Sequence, residues 1–271
     1  MESLNRLNNP RAQVDNAKLR LLILDTGAKW KHALLQSPIQ PLFAQVMQTV
    51  PVTQTQEFRM SACKILAQAD AAIVFSPLAA KLLLRITAGN EHSLPQKILA
   101  MGPETARVLQ VTRCPISIQH QGSDALIQAA QSTGMNCWNR AVLIGGYNMR
   151  PALKLYLKST GVDVQTLHLY RRVPVPADRQ LYALLNAHLD CAQALICNNI
   201  TALRLLIYRT QQLDSANLSA LYRLPVIAAS ERISQIVRHL GFTPSQPLAE
   251  GAAPVPMVQA AVHAFRQLQM R

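Results

Sequence analysis

The sequence AIVFSPLAAKLLL at residues 72–84 aligns without gaps with ALICNNITALRLL at residues 194–206. A second pair of segments follows at nearly the same offset, because ILAMGPETA at 98–106 matches VIAASERIS at 226–234. In both copies a short apolar run of strand type precedes a helical stretch, and the order then repeats. Internal self-similarity of this kind indicates repeated structural units. The repeat therefore predicts two similar domains with one cleft between them.

Short β-rich runs alternate with helical stretches along the rest of the chain as well. Strands are predicted at 19–24, 140–146 and 163–173, where apolar and β-branched residues are concentrated. Such alternation is typical of parallel sheets with helices on both faces. We predict an α/β fold made of two similar doubly wound parallel-sheet domains. The apolar spacing over 30–47 further predicts a helix interrupted by prolines, and the segment around Phe242 predicts another strand.

The repeat also suggests how the chain is divided between the domains. The second copy lacks a strand before the run at 192–198, while the strand at 19–24 has no repeat partner nearby in the chain. The simplest arrangement places the N-terminal strand and helix in the second domain, so that the chain crosses between domains twice in a two-stranded crossing. The predicted parts are a flexible tail at 1–17, a discontinuous domain at 18–50 plus 173–271, and an inserted domain at 54–168.

The composition restricts the kinds of partner. The 271 residues have a formal net charge of +13, with 49% apolar and 15% charged residues, and this apolar fraction excludes a disordered chain. Surplus positive charge favours an anionic ligand, but the basic residues are spread evenly and only 5% of residues are aromatic. Nucleic-acid modules concentrate basic residues and interleave aromatic ones. A cleft for a small polyanion is therefore preferred over nucleic acid, and a merely basic surface stays open.

Several classes of protein and cofactor find no support in the sequence. No apolar run reaches the length that spans a bilayer, and residues 1–17 lack the apolar core of a signal peptide, so we expect a cytoplasmic protein without membrane contact. The five cysteines include no C-x-x-C pair, and the seven histidines show no ligand spacing. This pattern predicts reduced thiols and no metal. Glycine-rich nucleotide loops and hydrolase motifs are missing too, and no cofactor is predicted.

Small hydroxyl, amide and glycine residues follow nearly every predicted strand. In open α/β sheets, ligands bind beyond the carboxyl ends of the strands, where helix N-termini present free N–H groups. Each of these residues could instead simply cap its helix, but their recurrence in both copies favours a shared binding site. The positions are Thr26-Gly27, Ser76-Pro77, Gly102-Pro103, Gly145-Gly146, Asn198-Asn199 and Ser230.

The order and spacing of these segments resemble the uroporphyrinogen-III synthase family from about residue 19 to the end. The tract RAVLIGGYNMRPALKLYLKSTGVDVQTLHLYRR at 140–172 carries the most specific part of the likeness. The resemblance implies two α/β domains joined by a two-stranded ladder, with the N-terminal strand in the discontinuous domain. It also implies a cofactor-free lyase of haem biosynthesis. This lyase closes hydroxymethylbilane, a linear tetrapyrrole with eight carboxylates, into uroporphyrinogen III with inversion of the last ring and loss of water.

The resemblance assigns expected roles to individual residues. Tyr170 matches a family tyrosine whose phenol would protonate the departing hydroxyl, although a hinge tyrosine that only packs its ring is an open alternative. Thr105 matches a threonine at a helix start, and Arg150 lies near a carboxylate-binding edge. A first-turn role and a surface ion pair stay open for these two. The other expected substrate-binding residues are Thr26, Lys29, Ser76, Pro77, Gly102, Gly146, Asn198, Asn199 and Ser230.

The chain departs from the family pattern at the ends of two strands. Gly27 stands where the first strand is commonly followed by arginine, and Gly145 stands where the central strand often carries one. Lys29 and Arg150 could compensate for the missing charges. The alternative is a catalytically inactive homologue that binds a tetrapyrrole or another polyanion. The resemblance further implies a monomer that could receive its substrate from hydroxymethylbilane synthase.

Overall fold

The computed structural model describes residues 18–25, 27–112, 116–119, 127, 138–245 and 248–269. The predicted tail at 1–17 lies outside these residues. The structure forms two compact units, which divide between Gln48 and Thr49 and again between Val173 and Pro174. Unit 1 contains the first and last parts of the chain, and unit 2 contains the part between them. No helix in the described ranges has the length and hydropathy needed to cross a bilayer.

Strands and helices alternate through both units. The strands are β1 (Leu19–Ile23), β2 (Ile39–Phe43), β3 (Met47–Pro51), β4 (Ala71–Val74), β5 (Lys97–Met101), β6 (Ile116–Gln119), β7 (Arg140–Gly146), β8 (Asp163–Pro174), β9 (Ala194–Cys197) and β10 (Val226–Ala228). The helices are α1 (Lys31–Leu34), α2 (Gln56–Ala67), α3 (Pro77–Thr87), α4 (Pro103–Leu109), α5 (Pro151–Ser159), α6 (Arg179–Leu189), α7 (Ile200–Gln211), α8 (Ser215–Arg223), α9 (Glu231–His239) and α10 (Pro254–Gln269).

Unit 1 is built on a four-stranded sheet in the order β10-β9-β1-β2. The three strand pairings are parallel. Strands of such a sheet are covered on both faces, which explains why β1 and β9 are nearly continuous apolar runs rather than alternating ones. Leu21, Leu22 and Leu195 are accordingly fully buried. The pairing of β1 with β9 places the N-terminal strand beside a strand from the C-terminal part of the chain.

Unit 2 contains a sheet in the order β3-β8-β7-β4-β5-β6. The strands from β8 to β6 are parallel to one another. Next to β8 lies β3, and two flanking hydrogen bonds indicate that these two strands are antiparallel: the N–H of Val52 donates to the carbonyl of Leu169, and that of Val175 donates to the carbonyl of Val46. The chain therefore passes from unit 1 to unit 2 within β3 and returns within β8.

The α/β prediction is confirmed, whereas two local predictions are wrong. The segment 30–47 forms the single turn α1 followed by strand β2, because proline lacks the N–H that a helix interior needs. Pro41 lies in β2, the edge strand of its sheet, where a missing N–H is tolerated. The segment around Phe242 makes only an isolated bridge, between Val226 and Pro244. The Phe242 ring instead packs on Tyr222, with 4.7 Å between ring centroids.

Leu157 and Leu155 on α5 provide a matched test of packing in unit 2. Leu157 is 2% exposed and belongs to the apolar cluster on one face of the sheet, whereas Leu155 is 63% exposed. Leu157→Ala should lower the free energy of unfolding by about 2–5 kcal/mol because it leaves a cavity. Leu155→Ala should change it by less than about 0.5 kcal/mol. Urea unfolding followed by circular dichroism measures both, and equal losses would contradict this packing.

Candidate functional site

Three strands of unit 2 end at one edge of the sheet, and a helix begins just after each of them. After β4, β5 and β7 come α3, α4 and α5, and each of these helices begins with proline: Pro77, Pro103 and Pro151. Proline suits the first turn because its missing N–H would have no partner there. The N-termini of these three helices lie at the edge where ligands bind in open α/β sheets. This edge is the candidate site.

An irregularity in β8 brings Tyr170 to this edge. Gly145 pairs with His168, but the next residue of β7, Gly146, pairs with Tyr170, so that Leu169 is an extra residue in β8. A β-bulge of this kind bends the strand and redirects the side chains that follow. Leu169 and Tyr170 consequently pack in the same core cluster, although adjacent side chains of a regular strand point to opposite faces.

The glycine pair at the end of β7 leaves room for the Tyr170 ring. A Cβ atom at position 146 would lie 2.5 Å from Cε2 of Tyr170, which is closer than real Cβ atoms approach. A Cβ atom on Gly145 would overlap the side chain of Met149. Gly146, expected from the sequence to bind substrate, therefore serves in the structure as the surface on which the tyrosine ring lies.

Ser76 fixes the Tyr170 hydroxyl. The two side-chain oxygens are 3.1 Å apart, and Tyr170 as a whole is 8% exposed. Ser76 is also the N-cap of α3, where its Oγ accepts the N–H of Ala79 at 3.1 Å. The capping role expected from the sequence is therefore present, and the same hydroxyl contacts Tyr170.

An aromatic pair lies beside the same strand end. Tyr147 and His168 stack with 4.6 Å between ring centroids and 14° between ring planes. Nδ1 of His168 is 3.2 Å from the carbonyl oxygen of Gly146, and the N–H of Tyr147 donates to the carbonyl of Tyr170 at 3.0 Å. The sequence analysis predicted a site role for neither Tyr147 nor His168. The available signals were an aromatic residue directly after a glycine pair and a histidine two positions before Tyr170.

The other predicted residues of unit 2 have separate surroundings. Thr105 is 1% exposed, and its hydroxyl donates at 3.2 Å to the carbonyl of Met101, the last residue of β5. Gly102 has a φ of +100° and turns the chain into α4, a conformation that favours glycine. Arg150 is exposed and directly precedes α5. Thr26 lies outside the described residues.

In unit 1 the predicted residues mostly cap helices. Asn199 Oδ1 accepts N–H groups from the first turn of α7, and half-buried Asn198 precedes it. Ser230 Oγ accepts an N–H from the first turn of α9 at 3.4 Å. Lys29 forms an ion pair with Asp25. These positions follow β9, β10 and β1, and they leave the carboxyl ends of the unit 1 strands lined with small polar groups.

Solved structures share this fold. A uroporphyrinogen III synthase of Thermus thermophilus, crystallised as a mutant, is 20% identical to this chain with a TM-score of 0.60, and the match covers 92% of this chain and 99% of that one. The uroporphyrinogen-III synthetase of Helicobacter pylori is 12% identical with a TM-score of 0.55, covering 93% of this chain and 100% of that one. The fold class is therefore that of these two-sheet α/β proteins.

The family follows from the sequence. The family model described as Uroporphyrinogen-III synthase HemD matches residues 28–247. The chain therefore belongs to the uroporphyrinogen-III synthase family, a lyase family of haem biosynthesis, and the resemblance inferred from segment order is confirmed. No significant match was found among curated proteins.

Replacing each glycine of the pair by alanine tests the packing under Tyr170. Gly146→Ala should lower the free energy of unfolding by about 1–3 kcal/mol, because the added methyl group pushes against an aromatic ring that Ser76 holds in place. Gly145→Ala is the matched control and should cost less, because the flexible Met149 side chain can rotate away. Urea unfolding measures both variants. A larger loss for Gly145→Ala would contradict the role given to Gly146.

The thiol at the end of β9 should be chemically inert. Burial raises the pKa of Cys197 to about 12, and only the thiolate reacts with alkylating agents. In the folded protein at pH 8, iodoacetamide should leave Cys197 unmodified, whereas half-buried Cys63 and Cys191 serve as controls. Unfolding in urea should restore an ordinary thiol and full labelling. Peptide mass spectrometry reads the result, and rapid labelling of folded Cys197 would refute the prediction.

Proposed function

We propose that this chain closes hydroxymethylbilane to uroporphyrinogen III at the edge of unit 2 where β4, β5 and β7 end, with Tyr170 as the general acid. The single observation that carries the assignment of the site is the hydrogen bond of 3.1 Å between the hydroxyl groups of Tyr170 and Ser76. It fixes a proton donor at a sheet edge of the kind where α/β proteins bind ligands. The reaction is inferred from membership of the family, and the roles of individual residues are inferred from the contacts in the structure.

The first step of the reaction is the departure of a hydroxyl group from the terminal ring. A hydroxide ion is a poor leaving group, so a proton must reach this oxygen as its bond to carbon breaks, and water then leaves. The Tyr170 O–H is a suitable donor. In this arrangement Ser76 donates its own hydrogen to Tyr170 Oη while its oxygen accepts the N–H of Ala79. The phenol hydrogen is then directed to the substrate.

The phenolate that forms would be stabilised by its surroundings. Ser76 caps the N-terminus of the eleven-residue helix α3, and this end of a helix has a partial positive charge. A hydrogen bond from the capping hydroxyl transmits that stabilisation to Tyr170 Oη. The substituted carbon of the last ring then attacks the cationic CH₂ group and forms a spiro intermediate, and the bond from that carbon to its original bridging CH₂ group breaks. The other α-carbon of the ring attacks the released CH₂ cation, and the proton that this carbon loses restores the Tyr170 phenol. These steps require mainly that the substrate be held in a suitable conformation. We propose no cofactor for any step.

The carboxylates of the substrate are proposed to bind at the helix N-termini. Backbone N–H groups at the starts of α3, α4 and α5 are suited to anions, and Gly102 adds a position without a side chain. Arg150 lies directly before α5 and contributes positive charge at the same edge. Lys29, Asn198, Asn199 and Ser230 are proposed as the corresponding contacts in unit 1. The formal charge of +13 favours such an acidic ligand.

The cellular context follows from the family reaction, which is that of haem biosynthesis. The described residues of the two units pack into three apolar clusters. We propose a cytoplasmic monomer that receives hydroxymethylbilane from the synthase that makes it. Size-exclusion chromatography with light scattering tests the monomer directly, because a dimer would elute with twice the mass of 29.9 kDa.

The general-acid role predicts unequal effects of two substitutions that break the same hydrogen bond. Tyr170→Phe removes the proton and should lower turnover about 100-fold or more. Ser76→Ala leaves the phenol in place and should lower turnover far less, while its lost helix cap costs about 1 kcal/mol of stability. Tyr222→Phe in unit 1 is the matched control and should leave turnover unchanged. Unchanged turnover in Tyr170→Phe, or a loss in Ser76→Ala as large as that in Tyr170→Phe, would contradict the general-acid role.

The turnover assay must separate the two isomers of the product. Hydroxymethylbilane is generated in situ, the protein is added, and the oxidised porphyrins are resolved into types I and III. An excess of type III that rises with protein concentration supports the proposed synthase. Type I alone, formed by a correctly folded protein, would refute the synthase and favour the inactive tetrapyrrole-binding homologue.

A further inference from the structure

Tyr147 is exposed at a position where its backbone is tightly fixed. It directly follows β7, its ring is 56% exposed, and its N–H donates to the carbonyl of Tyr170 at 3.0 Å. A large exposed aromatic side chain costs free energy in water. Single exposed apolar residues are ordinary, but the backbone of this one is hydrogen-bonded to that of Tyr170, the proposed general acid.

The ring of Tyr147 is held in one orientation by His168. The two rings are nearly parallel, at 14°, with their centroids 4.6 Å apart. Nδ1 of His168 is 3.2 Å from the carbonyl oxygen of Gly146. A carbonyl can only accept, so Nδ1 carries the hydrogen of this bond and Nε2 is the ring nitrogen left for another partner. The stacked pair is therefore ordered before any ligand arrives.

The pair and Tyr170 lie on opposite sides of the same strand end. Leu167 and Leu169 face the cluster that also contains Tyr170, and successive side chains of a strand alternate, so His168 points to the other face. Gly145 is the cross-strand partner of His168. Between the two faces lies the glycine pair, on which the Tyr170 ring and the Met149 side chain pack.

We propose that Tyr147 and His168 form a platform that holds the part of the substrate next to the reacting ring. The inference rests on the proposed function, which places the terminal ring at Tyr170. A neighbouring pyrrole ring packs on the exposed ring of Tyr147, since stacked aromatic rings attract beyond their buried area. The His168 ring, stacked on the other face of Tyr147, holds this platform in position. The pair positions the substrate and takes no part in bond breaking.

If the platform binds the substrate and the transition state equally well, its removal should raise KM and leave kcat unchanged. Tyr147→Ala should raise KM for hydroxymethylbilane about tenfold, equivalent to the loss of one stacked ring. Tyr147→Phe keeps the ring and should restore KM to within about twofold. His168→Asn should raise KM as well, because it removes the second ring of the stack. Tyr208→Ala is the matched control, because Tyr208 is 60% exposed on α7 in unit 1.

Binding of a stable octacarboxylate gives a second readout that does not need turnover. Calorimetric titration with uroporphyrin III should show about tenfold weaker binding for Tyr147→Ala, and near wild-type binding for Tyr147→Phe and Tyr208→Ala. Unchanged KM and unchanged porphyrin affinity in Tyr147→Ala would overturn the platform, and so would an equal loss in Tyr147→Phe. A wild-type protein that yields only type I porphyrin would refute the proposed synthase, while the porphyrin titrations would still decide for or against the platform.

Discussion

The contact of the Tyr170 ring with the bare backbone of Gly146 is the constraint on which the candidate site depends. The ring can lie there only because residue 146 has no Cβ atom, and it arrives there only because Leu169 is an extra residue in β8. The hydroxyl then meets Ser76, which already caps α3. A glycine, a bulge and a helix cap are each common features, and their coincidence at one strand end produces a fixed phenol.

At the candidate site, the groups to which the proposed chemistry is assigned also stabilise the fold. Ser76 satisfies a backbone N–H that would otherwise lack a partner at the start of α3, and it simultaneously orients Tyr170. The helix N-termini that provide anion-binding N–H groups exist because parallel strands need helical crossovers. This double use of the same groups fits a reaction in which positioning of the substrate accounts for most of the rate enhancement. It also explains why the sequence contains no motif of the kind that marks hydrolases or nucleotide-binding enzymes.

Much of the fold could be predicted because buried parallel strands consist of continuous runs of apolar residues. The runs around Ile73, Leu143 and Ile196 all form strands at the expected places. The sequence did not predict helix α2, because few of its residues are apolar in a helical pattern and its buried residues are Ala62 and Leu66. The bulge at Leu169 could not be foreseen either, since it depends on how β8 pairs with β7 rather than on either sequence alone. The contact between Tyr147 and His168 likewise depends on the pairing of β7 with β8, so the sequence alone did not indicate it.

The arrangement of β1 has a consequence for the order in which the protein folds during synthesis. Strand β1 pairs with β2 on one side, but its other neighbour, β9, leaves the ribosome only after the strands of unit 2 have been made. Unit 2 can therefore fold first, while the edge of β1 that will pair with β9 is still unpaired. Such an edge is a template for incorrect pairing. The native pairing of β1 is therefore completed only when the C-terminal part of the chain is available.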